Sequence, residues 1–349
     1  MKVSLITYHG EDNYGAILQT YATCRAVESF GFETEIINLH LHHNQGIINK
    51  LVFSLKRKRF NNFRKKYFKK ITRLYTSIEE LRENPPASDC YLVGSDQTWN
   101  PLISKENAMA YFLDFGEDNI KRISYASSFG LNEWQESKYA PTESVKKALK
   151  RFQKLLVREN RALDICKETF GVDANQVVDP VLLFPNYEEL TGPINKVVRN
   201  KMVLYKLIKK QDFYDKASLL ANALNFNQVS IGSVRRLKGV KSGYPESIEN
   251  WIRQIATSEL VFTDSFHGTV MSLLYHRLFV VYVGDIRRVS RIVSLLKQVD
   301  LEYRICSDED SIEHIIEVAK TPINYQKVDK LIASLRMQSL NLFKKALEE

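Results

Sequence analysis

Val3-Ser4-Leu5-Ile6-Thr7, then the loop Tyr8-His9-Gly10-Glu11-Asp12-Asn13-Tyr14-Gly15, a helical stretch over 15–30, and Thr34-Glu35-Ile36-Ile37-Asn38-Leu39 decide the fold of this chain. A short apolar run, an amphipathic stretch closed by Gly31 and a second apolar run read as strand, helix, strand. That unit repeats. Further strands are expected at 90–93, 122–126, 155–157 and 177–178, with a helix over 143–152. Asp179-Pro180 breaks the pattern, and 184–199 reads as a loop. The alternation then restarts, with strands at 202–207, 228–231, 260–263 and 278–283 and helices at 213–223, 245–256, 269–275 and 289–299. A last helix is expected over 324–347. Strands alternating with helices point to an α/β fold with parallel sheets, here two Rossmann-like domains facing across a cleft, with a C-terminal helix. The expected boundaries are 1–185, 186–323 and 324–349.

Composition supports this reading. A chain of 349 residues exceeds one ordinary core, and 44% hydrophobic with 26% charged residues marks it as globular. The net charge of +9 is local: no Asp or Glu lies between Ile36 and Ile78, and residues 50–73 hold eleven Lys or Arg. Without those eleven the charges nearly cancel, so general nucleic-acid binding is not expected. Cys24, Cys90, Cys166 and Cys306 lie far apart in apolar surroundings and read as buried free thiols. No apolar run is long enough to span a bilayer and no leader is evident, so the expected location is cytoplasmic, at the inner face of the membrane if the basic stretch binds there.

Ligands in such folds bind beyond the carboxyl ends of strands, which directs attention to the loops there. In Val261-Phe262-Thr263-Asp264-Ser265-Phe266-His267-Gly268-Thr269 a strand stops and a helix begins, offering free N–H groups and a positive dipole end to an anion. Gly268 would let a ligand approach the backbone, and His267 would donate a proton. The other reading is a capping turn, with Ser265 as cap and His267 packed. Arg158, ending the strand of Leu155-Leu156-Val157-Arg158-Glu159, either holds phosphate or carboxylate or pairs locally with Glu159 or Asp179. The first loop lacks a nucleotide fingerprint but suits a sugar, with His9 beside it, Asp12 and Asn13 bonding hydroxyls and Tyr14 offering a ring face; alternatively Asp12 or Asn13 caps the helix. In Gly94-Ser95-Asp96-Gln97-Thr98-Trp99-Asn100, Asp96 is a candidate base and Trp99 a candidate sugar platform, against a cap and a core residue. Ser124–Gly130 has small residues that leave room for a ligand. Arg287, Arg288 and Arg291 around Ser290 read as a solvated face or as cations for the site. His40, His42 and His43 cluster without a fourth ligand, so no metal is expected.

Together these segments resemble the polysaccharide pyruvyl transferase family. The likeness runs in family order through residues 9–19, 93–100, 124–130, 157–159, 179–183, 263–272 and 290–292. The strings Gly94–Asn100 and Thr263–Gly268 are its most specific parts. The resemblance implies an architecture similar to GT-B and transfer of pyruvate from phosphoenolpyruvate to two hydroxyls of a sugar, giving a cyclic ketal and phosphate. It implies a donor side in the second domain and an acceptor side in the first. Arg158 and His267 match the family's donor contacts. The Arg that the family carries two positions before that His is here Ser265, leaving Arg291 or Lys206 to supply the cation. Acceptor contacts then fall to His9, Asp12, Asn13, Tyr14, Gln97 and Trp99, with Asp96 as base. The scheme calls for no cofactor.

Phe60, Phe63, Tyr67, Ile71 and Leu74 step by three or four, which predicts a basic amphipathic helix over 50–73. Such a helix lies on an anionic membrane surface, suiting a lipid-linked acceptor of bacterial capsule or exopolysaccharide assembly; packed aromatics and solvated charges are the plainer reading. Two rival functions remain open: a nucleotide-sugar glycosyltransferase on the same architecture, and a non-catalytic glycan-binding module.

Overall fold

A computed structural model describes residues 1–39, 50–207, 211–232, 240–242, 245–284 and 290–349. His40, His42, His43, Arg287 and Arg288 lie outside the described residues. The chain divides into two compact units: Met1–Gly46, Arg64–Phe184 and Ala333–Glu349 form the first, Ile47–Phe63 and Pro185–Ile332 the second. Residues 47–63, expected with the first half, thus group with the second, and the terminal helix Tyr325–Glu348 is divided between the units.

In the first unit, β1 (Lys2–Ile6), β2 (Glu33–Leu39), β3 (Ile71–Tyr75), β4 (Cys90–Val93) and β5 (Lys121–Ser124) form a parallel sheet in the order β3-β2-β1-β4-β5. Bridges Ile123–Lys154 and Ser127–Val157 carry the pairing on to β6 (Leu156–Val157) and β7 (Asn175–Gln176). Because β1 and β4 are covered on both faces, β4 reads as an unbroken apolar run and β1, buried from Val3 to Ile6, is interrupted only by Ser4. The strand order reverses between β1 and β4, so the loops behind these two strands open at a topological switch point. The core gathers Trp99, Phe112, Phe129 and Phe170.

The second unit repeats the plan. Its strands β8 (Lys201–Tyr205), β9 (Asn227–Ile231), β10 (Lys241–Ser242), β11 (Leu260–Thr263), β12 (Leu278–Val283) and β13 (Ile305–Ser307) run parallel in the order β10-β9-β8-β11-β12-β13. Its switch point lies between β8 and β11. Met202, Phe213, Leu260, Phe262 and Tyr282 fill its core. The α/β class and two Rossmann-like sheets agree with the sequence reading. β13 and the helix Ile312–Lys320, capped by Ser311, were not foreseen.

The basic stretch is a correction. Phe60 and Phe63 are buried, as their spacing required, but the helix Lys50–Tyr67 stops before Ile71. The following residues become edge strand β3, pairing Ile36 with Ile71 and Leu39 with Tyr75. Hydrogen bonding to β2 outweighs the helical spacing of Ile71 and Leu74, whose side chains stay exposed. Cys90, Cys166 and Cys306 are buried and Cys24 half-buried; burial pushes each thiol up to about 12. Among the described residues no helix is long and apolar enough to cross a membrane.

Candidate functional site

The loops behind β1 and β4 are stitched together: Thr7 Oγ1 donates to the Ser95 carbonyl at 3.0 Å and Tyr8 Oη to the Gln97 carbonyl at 2.9 Å. At the carboxyl end of β4, Asp96 adopts φ 80°, a left-handed backbone that a side chain makes costly. Its half-buried carboxylate accepts through Oδ1 from the Gln97 amide at 2.9 Å. Gly130, at φ 65° after β5, faces Gln97: a Cβ there would stand 2.0 Å from Gln97 Oε1. Gln97 is therefore fixed by a glycine wall, half-buried, and joined to Asn100 Nδ2 at 3.3 Å.

Beneath this turn lies a buried polar cluster. Arg158 is 5% exposed, and its guanidinium pairs with Asp179 Oδ2 at 2.9 Å and reaches Ser95 Oγ at 3.2 Å. Asp96 Oδ1 and Glu159 Oε2 each lie 3.8 Å from it. Burial alone would lower the Arg158 pKa, but Asp179, Asp96 and Glu159 more than offset it and raise the value. Asp179 in turn accepts from Ser95 Oγ and from the Val181 amide, and Glu159 accepts from Ser128 Oγ at 2.6 Å. The local ion pair, one of the two readings of Arg158, is the one observed.

Several acceptor expectations change. Trp99 is fully buried, donates Nε1–H to the Tyr111 carbonyl and stacks on Phe112, so it offers no face to a sugar. Tyr14 is 1% exposed as the first residue of its helix, and Asn13 is that helix's cap, accepting from the Gly15 and Ala16 amides. His9 is buried, with Nδ1 against the Thr7 carbonyl and Nε2 facing the Asn38 side-chain amide, both at 3.2 Å. Asp12 pairs with Arg64 of the basic helix, one of eleven cations between residues 50 and 73 that nothing in their spacing sets apart.

In the second unit the helix Phe266–Leu274 starts at the carboxyl end of β11, beside the switch point. Ser265 caps it, its Oγ accepting from the Gly268 amide at 3.3 Å, and is itself held by Thr263 Oγ1 through its own N–H at 3.0 Å. His267 is the second helical residue, 7% exposed, with its ring edge-on to Phe266. The cap of one reading and the helix start of the other therefore coexist. Gly268 serves packing, contrary to the ligand-approach expectation: a Cβ would stand 2.6 Å from Thr263 Oγ1 and 3.0 Å from Tyr205 Cδ1. Lys206 follows β8 and sets its ammonium over the Phe213 ring at 4.2 Å. Arg291 is half-buried in the first turn of Ser290–Gln298. Among the described residues, no cluster of His, Cys, Asp or Glu is arranged to hold a metal.

A family model described as Polysaccharide pyruvyl transferase matches residues 13–285. No curated protein matches the sequence. Among solved structures, the UDP-GlcNAc 2-epimerase from Methanocaldococcus jannaschii superposes with a TM-score of 0.56 at 13% identity, covering 93% of each chain. The UDP-GlcNAc 2-epimerase from Neisseria meningitidis, bound to UDP-GlcNAc, gives 0.56 at 11% identity over 97% of this chain and 100% of that one. An alpha-glucosyltransferase in complex with UDP and a 13-mer DNA gives 0.56 at 7% identity over 99% and 95%. At such identities the likeness shows the fold alone, the GT-B type with two Rossmann-like domains.

Proposed function

The chain belongs to the polysaccharide pyruvyl transferase family, and from that premise we propose that it moves pyruvate from phosphoenolpyruvate onto two hydroxyls of a sugar in a lipid-linked bacterial polysaccharide precursor. The observation that carries this reading is the start of the helix Phe266–Leu274 at the carboxyl end of β11, with His267 in its first turn. The positive end of the helix dipole favours a small anion there. Lys206 and Arg291, both in the second unit, supply cations in place of the family Arg at the Ser265 position.

In the proposed chemistry His267 gives a proton to the methylene carbon, making C2 of the enol electrophilic. A sugar oxygen bonds to C2, the C2–O bond to phosphate breaks, and the second hydroxyl oxygen closes the ketal. Of the two hydroxyl protons, one balances that gained by the methyl group and the other leaves with phosphate. Asp96 accepts a hydroxyl proton in the first unit, with Gln97 beside it. Arg158, given its Asp179 partner, serves as the fixed counter-charge beneath Asp96. The exposed Arg57, Lys58, Lys65 and Lys66 present the basic helix to an anionic lipid surface, which is where a lipid-linked acceptor resides.

The experiment is incubation with phosphoenolpyruvate and lipid-linked glycans in anionic vesicles, with phosphate assay and mass analysis for an added pyruvyl group. His267→Ala should abolish phosphate release. Near-normal release by that variant removes His267 from the scheme, and release of a nucleotide from a sugar nucleotide in place of phosphate overturns pyruvyl transfer.

A further inference from the structure

Arg64 of the basic helix is turned onto the first loop. Arg57, Lys58, Lys65 and Lys66 are exposed, whereas the Arg64 side chain is 12% exposed. Its Nε donates to the His9 carbonyl at 2.9 Å and Nη2 to the Glu11 carbonyl at 2.7 Å. Nη1 and Nη2 both reach Asp12 Oδ1 at 3.2 Å. One rigid fork therefore meets three groups of a loop in which the His9 N–H bonds the Thr7 carbonyl and the Glu11 N–H the Tyr8 carbonyl. A Cβ at Gly10 would meet nothing within 4 Å, so no neighbour packs on the backbone at that residue. The planar five-donor guanidinium can make all these bonds at once; a lysine ammonium cannot span them.

We propose that Arg64 is a positioning residue for acceptor binding: it fixes the loop of residues 9–12 at the carboxyl end of β1, whose neighbours Thr7 and Tyr8 bond the turn that carries Asp96 and Gln97. This rests on the reading of the first unit as the acceptor side. Arg64 touches no reacting atom in that scheme. It ties Asp12 to a helix otherwise notable for its charge, and gives that helix a role independent of lipid.

The test uses the full chain and two readouts. Hydrogen exchange of the peptide covering residues 8–13, without substrate, should accelerate in Arg64→Ala and partly recover in Arg64→Lys. With methyl hexopyranosides as acceptor probes, Arg64→Ala should raise the acceptor KM about tenfold, the scale of one charge-assisted hydrogen bond, and leave kcat and the phosphoenolpyruvate KM within about twofold. Methylguanidinium in solution should restore part of the loss in Arg64→Ala and none in wild type. Unchanged exchange in that peptide overturns the proposal, as does a fall in kcat with acceptor KM unmoved. If wild type releases no phosphate with any acceptor, pyruvyl transfer fails, while the exchange result still decides whether Arg64 fixes the loop. Arg64→Lys keeps these readouts available should Arg64→Ala fail to fold.

Discussion

Replacing Gly268 with Ala tests how tightly the helix of the candidate donor site is seated. The new methyl would stand 2.6 Å from Thr263 Oγ1 and 3.3 Å from Thr263 Cβ, the former about 0.9 Å inside the optimum for non-bonded atoms. Thr263 cannot turn aside cheaply, because Oγ1 donates to the Tyr205 carbonyl at 2.6 Å and accepts from Ser265 N–H at 3.0 Å. Overpacking costs about 1–3 kcal/mol, and such a pinned neighbour puts the cost in the upper part of that range. Alanine's better helix propensity returns about 1 kcal/mol. The net is a loss of about 1–2 kcal/mol, or roughly 4 °C in Tm for a unit of this size. Calorimetry on wild type, Gly268→Ala, Thr263→Ala and the double variant gives the decisive cycle. On the Thr263→Ala background, Gly268→Ala should cost less, because only the 3.0 Å approach to Tyr205 Cδ1 and the 3.3 Å approach to the Cβ of residue 263 remain. An increase in Tm in the wild-type background, or an equal cost in both, refutes the close-packing argument.

Two further outcomes follow from buried charge. Asp179→Asn leaves Arg158 facing Asp96 and Glu159 without its nearest carboxylate and should cost about 3 kcal/mol in urea unfolding, as expected for one partner lost from a buried pair; a loss below about 1 kcal/mol would mean the pair contributes little. Lys201, 9% exposed with Nζ on the Gln254 carbonyl and Thr257 Oγ1, has its pKa lowered to about 8, by burial first and Lys241 second. Between about pH 8 and 10 the unfolded chain then holds a proton on Lys201 that the folded chain has lost, so the Lys201 contribution to stability should rise with pH by up to about 1.4 kcal/mol per unit, while the four thiols, raised on folding, act in the opposite sense. The difference in urea stability between wild type and Lys201→Met isolates the Lys201 part and should move in favour of wild type across that window; a difference that does not change with pH refutes it.

Much of the fold was legible because strands covered on both faces announce themselves as apolar runs: Cys90–Val93 and Leu260–Thr263 were placed within the sequence to the residue. The loops at their ends followed, since parallel strands fix which end of each faces the switch point. What failed depended on neighbours distant in sequence. Ile71 and Leu74 fit a helical spacing, and only β2, some 35 residues earlier in register, makes them a strand. Trp99 and a sugar platform share one sequence signature; the ring partners Phe112 and Phe129 decide for the core. Arg64 is one cation among eleven until the carbonyls of His9 and Glu11 come within reach.

The four thiols have a practical meaning. With pKa values near 12, they are almost wholly protonated at neutral pH, and the thiolate is the form that reacts. Cys90 and Cys166 lie in the first unit and Cys306 in the second, all three buried. An alkylating reagent can reach them only when the surrounding structure opens, so the native chain carries its own clock of local opening in each unit. Labelling resolved by peptide would time the two units separately, with no foreign probe inserted into either.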